Sequence, residues 1–464
     1  MMACVCGIEK TEFPLTDNPK DSRARPESRA VPRGRISRLG RFGQLAGGIA
    51  GGVVAEGARR VARGERPKMR DMLLTPGNVN RVADQLSQLR GAAMKLGQMI
   101  SMDAGDMLPE ELSALLARLR DKAYHMPPKQ LQQTLNEQWG EGWRRRFKRF
   151  TAHPVAAASI GQVHRATTPD GRELAIKVQY PGITDSIDSD VDNVATLLRV
   201  SGMLPKELDI QPLLEEAKRQ LHEETDYLRE GNEMREFGAL LADDPRFVVP
   251  VLDEEFTTDR VLAMSWEEGH AIEKLADADQ EQRNQVMTAL MELVLREMYA
   301  FGRMQTDPNF ANYRYRPETN QLVLLDFGAA REVDQQAVTN YRALLKAGLA
   351  QDHEAVLQGA LNAGFMSPLA VERHRDIIDR MVSIIVEEAN RPGLFDFGDR
   401  AFVGVLAEQG RSMAEDRAIW HIPPVEALFL QRKISGTALL AARLKAKVDI
   451  RSMVERYLVE GDKG

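Results

Sequence analysis

One stretch near the middle of the chain limits most strictly what the sequence can fold into. Residues 305–331 read QTDPNFANYRYRPETNQLVLLDFGAAR. Asp307 is followed five residues later by Asn312, and an apolar run then leads into Asp326. Carboxylate and amide oxygens are ligands that Mg²⁺ accepts, and Mg²⁺ held in this way can bridge the phosphates of ATP. The order of acid, amide, strand and acid favours a nucleotide site over a surface hairpin with incidental acids.

Length and composition exclude several classes of protein. The chain has 464 residues, of which 43% are apolar and 28% charged, so it can bury one large core or two ordinary ones. No run approaches the roughly 20 apolar residues of a membrane-spanning helix. Cys4 and Cys6 are the only cysteines. They predict no disulfide framework and a reducing compartment, and a metal site at this pair is disfavoured.

The N-terminal part is basic and rich in glycine. Residues 20–70 hold 14 Lys and Arg against 4 Asp and Glu, in a chain whose formal net charge is −6. Within them, FGQLAGGIAGGVVAEGA places small residues along one helical face between arginines. We interpret it as a segment that inserts at an anionic lipid surface, with a flexible linker as the alternative. Nucleic-acid binding is disfavoured because no recognition motif accompanies the charge.

Strand-like sequence begins near Pro154. The Asp170-Gly171 pair predicts a hairpin turn between two β-rich stretches, the second of which contains Lys177. The first stretch matches the kinase glycine-loop pattern G-x-G-x-x-G-x-V, except that alanine replaces the first two glycines of the pattern. Alanine makes a positive φ costly and stiffens such a loop. The matching positions are Ala156, Ala158, Gly161 and Val163.

Helical periodicity covers much of the remaining chain. A helix at 79–100 carries Lys95-Leu96-Gly97-Gln98, which by spacing alone is a surface sequence. A helix at 213–241 offers several acids that could pair with Lys177, and periodicity does not choose among them. Strands are predicted at 247–252 and 260–266, before a hinge-like Glu267-Glu268-Gly269. Later helices are predicted at 280–301, 334–362, 370–390, 402–415 and 424–460. The competing acids are Glu215, Glu216, Glu223, Glu224 and Glu230.

With these motifs assembled, the sequence resembles the UbiB family of atypical protein-kinase-like proteins, also called AarF-type in bacteria. The sequence QTDPNFAN at 305–312 is most similar to that of the mitochondrial coenzyme Q branch and its bacterial relatives. The tail PPVEALFLQRKISG at 423–436 also resembles the family. The motifs that carry the resemblance are KLGQ at 95–98, AAAS at 156–159, AIKVQYPG at 175–182, EETD at 223–226, MQTDPNFAN at 304–312 and LLDFGAAR at 324–331.

The resemblance implies a role for each matching residue. Lys177 would bind phosphates and pair with Glu230, Asp307 would be the catalytic-loop acid, and Asn312 and Asp326 would hold Mg²⁺. Lys95 and Gln98 would lie on a helix that folds over the site and meets Glu224 and Asp226. The nucleotide contacts would include Ala156, Ala157, Ala158, Ser159, Gly161, Val163 and Glu267. In ordinary kinases His and Arg precede the catalytic Asp, whereas this chain has Gln305 and Thr306, so control through an arginine pocket is not expected.

The implied fold is α+β: a bilobal protein-kinase-like fold with an N-terminal helical extension and a helical C-terminal lobe. The expected divisions are a disordered lead at 1–36, a basic membrane-associating segment at 37–70, the extension at 71–150, the N-lobe with a helical insert at 151–266 and the C-lobe at 267–464.

The implied function is that of an ATP- and Mg²⁺-dependent ATPase that supports ubiquinone biosynthesis. The alternatives are a small-molecule or lipid phosphotransferase, and a nucleotide-gated scaffold with negligible turnover. Expected partners are ATP, an anionic membrane surface, and quinone-pathway intermediates or enzymes, with no nucleic acid and a possible homodimer. The expected location is cytoplasmic, peripheral on the inner membrane.

Overall fold

The computed structural model describes residues 125–158, 160–200, 211–399, 401–414, 416–419 and 423–460. The expected segments at 1–36 and 37–70 lie outside these residues, as does most of the extension at 71–150. The strands are β1 (Arg149–Phe150), β2 (Ala156–Ala157), β3 (Gly161–Thr167), β4 (Glu173–Gln179), β5 (Phe247–Val248), β6 (Val261–Ser265), β7 (His270–Ala271), β8 (Arg303–Gln305), β9 (Tyr313–Arg316), β10 (Gln321–Leu324), β11 (Ala330–Glu332), β12 (Phe395–Asp396) and β13 (Lys447–Val448).

Eleven α-helices are present in the described part of the chain. They are α1 (Pro128–Trp139), α2 (Ile187–Val200), α3 (Gln211–Glu224), α4 (Tyr227–Leu240), α5 (Gln280–Arg296), α6 (Gln335–Leu349), α7 (His353–Asn362), α8 (Pro368–Ala389), α9 (Ala401–Ala414), α10 (Val425–Leu444) and α11 (Ile450–Glu460). None of the helices described is long and apolar enough to cross a membrane.

A five-stranded antiparallel sheet forms the N-terminal lobe. Its order is β1-β3-β4-β6, and β2 pairs with β3. The hairpin predicted at Asp170-Gly171 is confirmed, because β3 and β4 pair from Gly161–Gln179 to Thr167–Glu173, and Gly171 adopts φ 93°. Alternation along β4 sends Ile176 and Val178 to one face and Lys177 to the other. The strand therefore buries its apolar face while presenting a lysine to the opposite side.

The helix predicted at 213–241 is wrong as a single element. The structure ends α3 at Glu224 and begins α4 at Tyr227. The Asp226 carboxylate caps the new helix by accepting from the Arg229 backbone N–H at 2.9 Å. The Thr225 carbonyl accepts instead from the Gln179 side chain at 2.5 Å. These two bonds replace the continuous helical pattern and direct the first turn of α4 toward β4.

The helical C-terminal lobe begins with α5, which continues into a single π-helical turn at Glu297–Phe301. This element agrees with the helix predicted at 280–301. Its end delivers the chain to β8 and to a four-stranded sheet of order β5-β10-β9-β7. Two later predictions are wrong as single helices. The 334–362 segment breaks at Gln351, where φ is 57°, and the 424–460 segment breaks at Lys445, where φ is 50°.

Candidate active site

The first turn of α4 lies at the centre of the candidate site. Glu230 on this turn accepts hydrogen bonds from Lys177 Nζ through both carboxylate oxygens, each at 2.9 Å. Asp326 Oδ2 lies 3.5 Å from the same nitrogen. The Lys177 and Glu230 side chains are 9% and 2% exposed, whereas Asp326 remains 33% exposed. A buried ammonium is thus shared by two carboxylates, one of which still faces solvent.

Burial and the neighbouring charges determine the pKa values of Glu230 and Lys177. Burial raises the pKa of Glu230 to about 7, and the Asp326 carboxylate adds to the rise while the Lys177 ammonium opposes it. Burial alone lowers the pKa of Lys177, but the Asp326 and Glu230 carboxylates outweigh it and hold that pKa well above its usual range. Lys177 is therefore a cation at neutral pH and can attract an anionic ligand.

Asp307 and Asn312 lie on one loop, residues 306–312, between β8 and β9. This loop is the expected catalytic loop. Asp307 Oδ1 accepts from the Asn309 backbone N–H at 3.2 Å, and Asn312 Nδ2 donates to the Asp307 carbonyl at 3.4 Å. The Leu325 N–H donates to the Asn312 carbonyl at 2.9 Å. Because Asp326 is the next residue, the loop and the Asp-Phe-Gly turn are tied together at the residues expected to bind metal.

The donor set of this site fits Mg²⁺ bound together with a nucleotide. Since Asn312 uses its amide nitrogen as a donor within the loop, its side-chain oxygen is the atom able to bind a cation. Asp326 accepts from the Gly328 N–H at 3.0 Å through Oδ1 and directs Oδ2 toward Lys177. Across the described residues, no group of three or more His, Cys, Asp and Glu side chains could hold a metal. Phosphate oxygens and water would therefore have to complete the coordination.

Thr306 ties the catalytic loop to the segment after Asp326. Its backbone N–H and its hydroxyl both donate to the Ala329 carbonyl, at 3.3 and 2.9 Å. Arg229 on α4 donates to the Gly328 carbonyl at 2.9 Å and also to the Ala330 carbonyl. Thr306 occupies the position that holds arginine in ordinary kinases, and it makes an uncharged contact with Ala329. Arg229 from α4 binds the same segment, residues 328–330.

The alanine-rich loop contains β2, which pairs with β3. Ala156 pairs with Val163 and Ala157 with Gln162, and the Ala158 N–H donates to the Gly161 carbonyl at 2.9 Å. Gly161 has no room for a side chain, because a Cβ there would lie 2.4 Å from the Val178 carbonyl oxygen. Val163 lies opposite Lys177 in the β3–β4 register. The loop is therefore connected through β3 to the strand that carries the lysine.

The expected hinge, Glu267-Glu268-Gly269, is held by side-chain contacts. Glu267 accepts from the Ser265 hydroxyl at 2.6 Å and from Arg316 at 2.5 Å. Arg316 also donates to the Glu268 carbonyl at 2.9 Å, and Arg314 donates to the Gly269 carbonyl at 2.8 Å. The expected nucleotide-contact residue Glu267 thus has its carboxylate engaged between β6 and β9.

Some of the expected site residues lie outside the described part of the chain, and others make contacts that were not expected. Lys95, Gln98 and Ser159 lie outside the described residues, so the expected cover over the site stays a prediction. Glu224 ends α3, and the structure assigns Asp226 the capping role at α4. The first acid of the EETD motif, Glu223, binds Arg331 at 2.7 Å.

Three features of the structure were not predicted from the sequence. Arg331, the last residue of LLDFGAAR, pairs with Glu223 and, at 3.4 Å, with the buried Glu216. The tail motif supplies Lys433, which lies below the catalytic loop and pairs with Glu297 at 3.2 Å. The sequence also contains a second Asp-Phe-Gly at 396–398, whose aspartate pairs with Lys447 at 2.9 Å. Asp307 and Asn312 precede the first Asp-Phe-Gly at kinase-like spacing, and this distinguishes it from the second.

A strand lysine held by a helical glutamate and facing an Asp-Phe-Gly carboxylate is typical of protein kinases, and here it lies between two lobes joined by a hinge. The protein is therefore of the kinase-like class. Residues 118–360 match the family model described as the ABC1 atypical kinase-like domain, which is more than half of the 464 residues. The chain belongs to this family of atypical kinases, and the resemblance drawn from its motifs is confirmed.

Full-length similarity supports the same assignment. The atypical kinase COQ8, mitochondrial, of Saccharomyces cerevisiae is 37% identical over 446 residues, covering 95% of this chain and 88% of the relative. The atypical kinase COQ8B, mitochondrial, of Danio rerio is 36% identical over 433 residues, covering 92% and 69%.

A solved structure agrees with the architecture. The complex of Rv3197 with erythromycin from Mycobacterium tuberculosis is 27% identical, with a TM-score of 0.57, and the match covers 82% of this chain and 95% of that one. The expected α+β, bilobal kinase-like fold is confirmed.

Proposed function

We propose that the protein binds Mg²⁺-ATP in the cleft between its lobes and uses it in phosphoryl-transfer chemistry that supports ubiquinone biosynthesis. The observation that carries this proposal is the contact of Lys177 with Glu230 and Asp326, at 2.9 and 3.5 Å. These three side chains come from β4, α4 and the Asp-Phe-Gly turn. A strand lysine that meets a helical glutamate and an Asp-Phe-Gly aspartate is the arrangement with which protein kinases bind ATP phosphates and Mg²⁺.

Each residue of the site has a defined task in this proposal. Lys177 binds phosphate oxygens, and Glu230 holds the lysine in place. Asn312 and Asp326 would hold Mg²⁺, which would supply positive charge beside the phosphates. Asp307 orients the attacking oxygen and accepts its proton. The chemistry depends mainly on positioning and charge, because the transferred group itself needs little covalent help.

Water is the acceptor that we propose first, which makes the protein an ATPase. Resemblance to the family implies that Lys95 and Gln98 belong to a helix over the site, and such a cover would exclude a peptide. A small-molecule or lipid alcohol is the second candidate, supported by the presence of Asp307, which could accept a hydroxyl proton. The third candidate, a nucleotide-gated scaffold, needs the same binding residues but no turnover.

The ubiquinone link and the membrane position rest on relatives and on sequence. The relatives from yeast and zebrafish are named mitochondrial atypical kinases of the COQ8 type. The basic, glycine-rich segment at 37–70 has the composition of an interfacial membrane anchor. We therefore propose a peripheral position on the inner membrane, with quinone-pathway intermediates or enzymes as partners.

Hydrolysis of ATP by the full chain tests the proposal. Turnover is measured with Mg²⁺, with and without vesicles containing anionic lipid and with and without a simple phenol as a quinone-precursor mimic. We expect turnover that either addition stimulates and that Asp307→Asn abolishes. Asp279→Asn is the matched control, because Asp279 caps α5 through the Gln282 N–H at 2.8 Å and asparagine caps helices equally well. Tight Mg²⁺-ATP binding without any turnover would contradict the ATPase and favour either the scaffold or a phosphotransferase whose acceptor is absent from the assay.

A further inference from the structure

Helix α10 places three residues of the tail motif on one face. Phe429, Lys433 and Gly436 are separated by four and three positions, which is the spacing of neighbours along a helix. Phe429 lies against Arg331, whose guanidinium carbon is 3.8 Å from the centre of the phenyl ring. Arg331 in turn binds Glu223 of the EETD motif. One end of this face thus supports the segment that follows Asp326.

Lys433 lies beneath the catalytic loop and is almost fully buried. Its side chain is 3% exposed, and that of its partner Glu297 is 1% exposed. Nζ also donates to the Tyr313 hydroxyl at 3.3 Å, and Glu297 accepts from the Gln305 backbone N–H at 3.4 Å. Tyr313 and Gln305 flank the loop that contains Asp307 and Asn312. A buried ion pair therefore contacts both ends of the catalytic loop.

Gly436 contacts the catalytic loop directly. A Cβ at this position would lie 2.2 Å from Pro308 Cβ and 2.8 Å from Pro308 Cγ. Real Cβ atoms do not approach other carbons so closely, and the proline ring cannot rotate away. Since Pro308 follows Asp307 immediately, any displacement of the proline moves the expected catalytic acid.

We propose that α10 is the element that positions the catalytic loop, with Lys433 and Gly436 as positioning residues for Asp307. This inference rests on the proposed phosphoryl-transfer function and names the part of the chain that sets its geometry. Thr306 is neutral where ordinary kinases carry arginine, so the loop lacks an internal cation at that position. Lys433 supplies a cation from outside the loop, and Gly436 permits the close approach of the helix.

The expected effect is on turnover more than on nucleotide binding. Lys433 and Gly436 contact the loop at Tyr313 and Pro308, away from Lys177, so we expect ATP affinity to change less than turnover. The rate depends on the place of Asp307, and a misplacement of about 1 Å in a catalytic group can cost about a hundredfold. A loss of turnover with retained Mg²⁺-ATP affinity would therefore show that Lys433 and Gly436 act by positioning Asp307.

Three variants of the full chain test the inference. Lys433→Met combined with Glu297→Gln removes both charges, because leaving either charge buried alone would destabilise the protein. Gly436→Ala adds one methyl group against Pro308. Lys433→Arg keeps the cation. We expect the double variant and Gly436→Ala to lower kcat for ATP about tenfold or more, with Mg²⁺-ATP affinity within about threefold of the wild type. Lys433→Arg should retain most of the turnover.

Gly404→Ala on α9 is the matched control, because nothing lies within 4 Å of a Cβ at Gly404. It should leave turnover unchanged. Wild-type turnover that persists in both the double variant and Gly436→Ala would overturn the inference alone. Equal losses of affinity and turnover would also overturn it, since they indicate a general change of fold. Absence of turnover in the wild type would instead overturn the proposed ATPase, and the inference with it.

Discussion

At the scale of single residues, two buried tyrosines near the cleft differ in the partners of their hydroxyl groups. Tyr227 is 0% exposed, and its hydroxyl has no hydrogen-bond partner among the residues that the structure describes. The Tyr313 hydroxyl accepts from Lys433 at 3.3 Å. An unpaired buried hydroxyl costs free energy, whereas removal of an acceptor from a buried cation leaves that cation poorly satisfied. The two Tyr→Phe substitutions should therefore act in opposite directions.

We expect Tyr227→Phe to leave the free energy of unfolding unchanged or to raise it by up to about 1 kcal/mol, and Tyr313→Phe to lower it by about 1.5 kcal/mol. Chemical denaturation of the two variants beside the wild type measures both changes. A clear loss of stability in Tyr227→Phe would show that its hydroxyl is paired in the folded protein.

His164 makes the stability of the N-lobe dependent on pH. Its ring nitrogens contact the Gln162 side chain at 2.9 Å and the Thr151 carbonyl at 2.8 Å, and the residue is 0% exposed. Burial lowers its pKa to about 4, while the bond to Thr151 opposes the change. The folded state thus binds fewer protons than the unfolded state between pH 6.5 and 4. This contribution to stability is complete above pH 6.5 and is lost as pH falls through 4.

We expect the stability difference between the wild type and His164→Gln to shrink by about 3 kcal/mol between pH 7 and pH 4. Glutamine keeps a donor and an acceptor but does not titrate. Denaturation at several pH values in one buffer series gives the difference at each pH. A difference that stays constant over this range would show that His164 does not titrate as its burial requires.

The sequence pattern could not show which glutamate pairs with Lys177. Five acids on the predicted helix were equally compatible with its periodicity, and only family resemblance selected Glu230. The structure supplies the physical reason. The chain breaks at Thr225 and Asp226, and the new helix places Glu230 on its first turn, facing β4. A periodicity argument assumes a continuous helix and cannot detect this change of direction.

At the scale of elements, the start of α4 fixes the geometry of the cleft. Asp226 caps the helix, and Glu230 lies one turn further along. Asp226→Ala should lower the free energy of unfolding by about 1 kcal/mol, and Asp226→Asn should not, because asparagine caps as well as aspartate. Asp334→Ala is the matched control, since Asp334 caps α6 through the Ala337 N–H at 2.7 Å.

The two cap removals should differ in nucleotide binding. Both alanine variants are expected to lose similar stability, but only Asp226→Ala should also weaken Mg²⁺-ATP binding, because only α4 carries the partner of Lys177. Calorimetric titration beside denaturation measures both quantities. Equal ATP affinity in the Asp226→Ala and Asp334→Ala proteins would contradict the role assigned to the start of α4.

Most elements of the fold could be predicted from sequence, and the misses have a common cause. The β3–β4 hairpin and the helix leading to the catalytic loop follow from turn chemistry and periodicity. The 334–362 and 424–460 segments were predicted as single helices, but each contains a break with a positive φ, at Gln351 and at Lys445. Such breaks occur at residues with ordinary helix propensity, because tertiary packing outweighs local preference.

At the scale of the whole molecule, the two lobes meet at contacts that no local pattern specifies. Arg229 on α4 reaches the Gly328 carbonyl at 2.9 Å, and Arg316 on β9 holds the hinge through Glu267 at 2.5 Å. Motif spacing identified the catalytic stretch and the strand lysine. The support from α10 could not be found in this way, because its residues contact the loop only after the C-lobe has folded.

The two Asp-Phe-Gly sequences show how whole-molecule context assigns function. In both, the aspartate Oδ1 accepts from the glycine N–H, at 3.0 Å in the first and 2.8 Å in the second. Asp326 faces Lys177 in the cleft, whereas Asp396 pairs with Lys447 beside β13. The second Asp-Phe-Gly is therefore an internal control for the first, with the same aspartate–glycine hydrogen bond in a different setting.

Titration of the full chain with ATP, in the presence and absence of Mg²⁺, tests the central claim most directly when Asp326→Asn and Asp396→Asn are compared with the wild type. We expect Mg²⁺ to strengthen ATP binding in the wild type and in Asp396→Asn, and we expect Asp326→Asn to abolish this dependence on Mg²⁺. Equal Mg²⁺ dependence in all three proteins would contradict the assignment of the cleft as a Mg²⁺-ATP site.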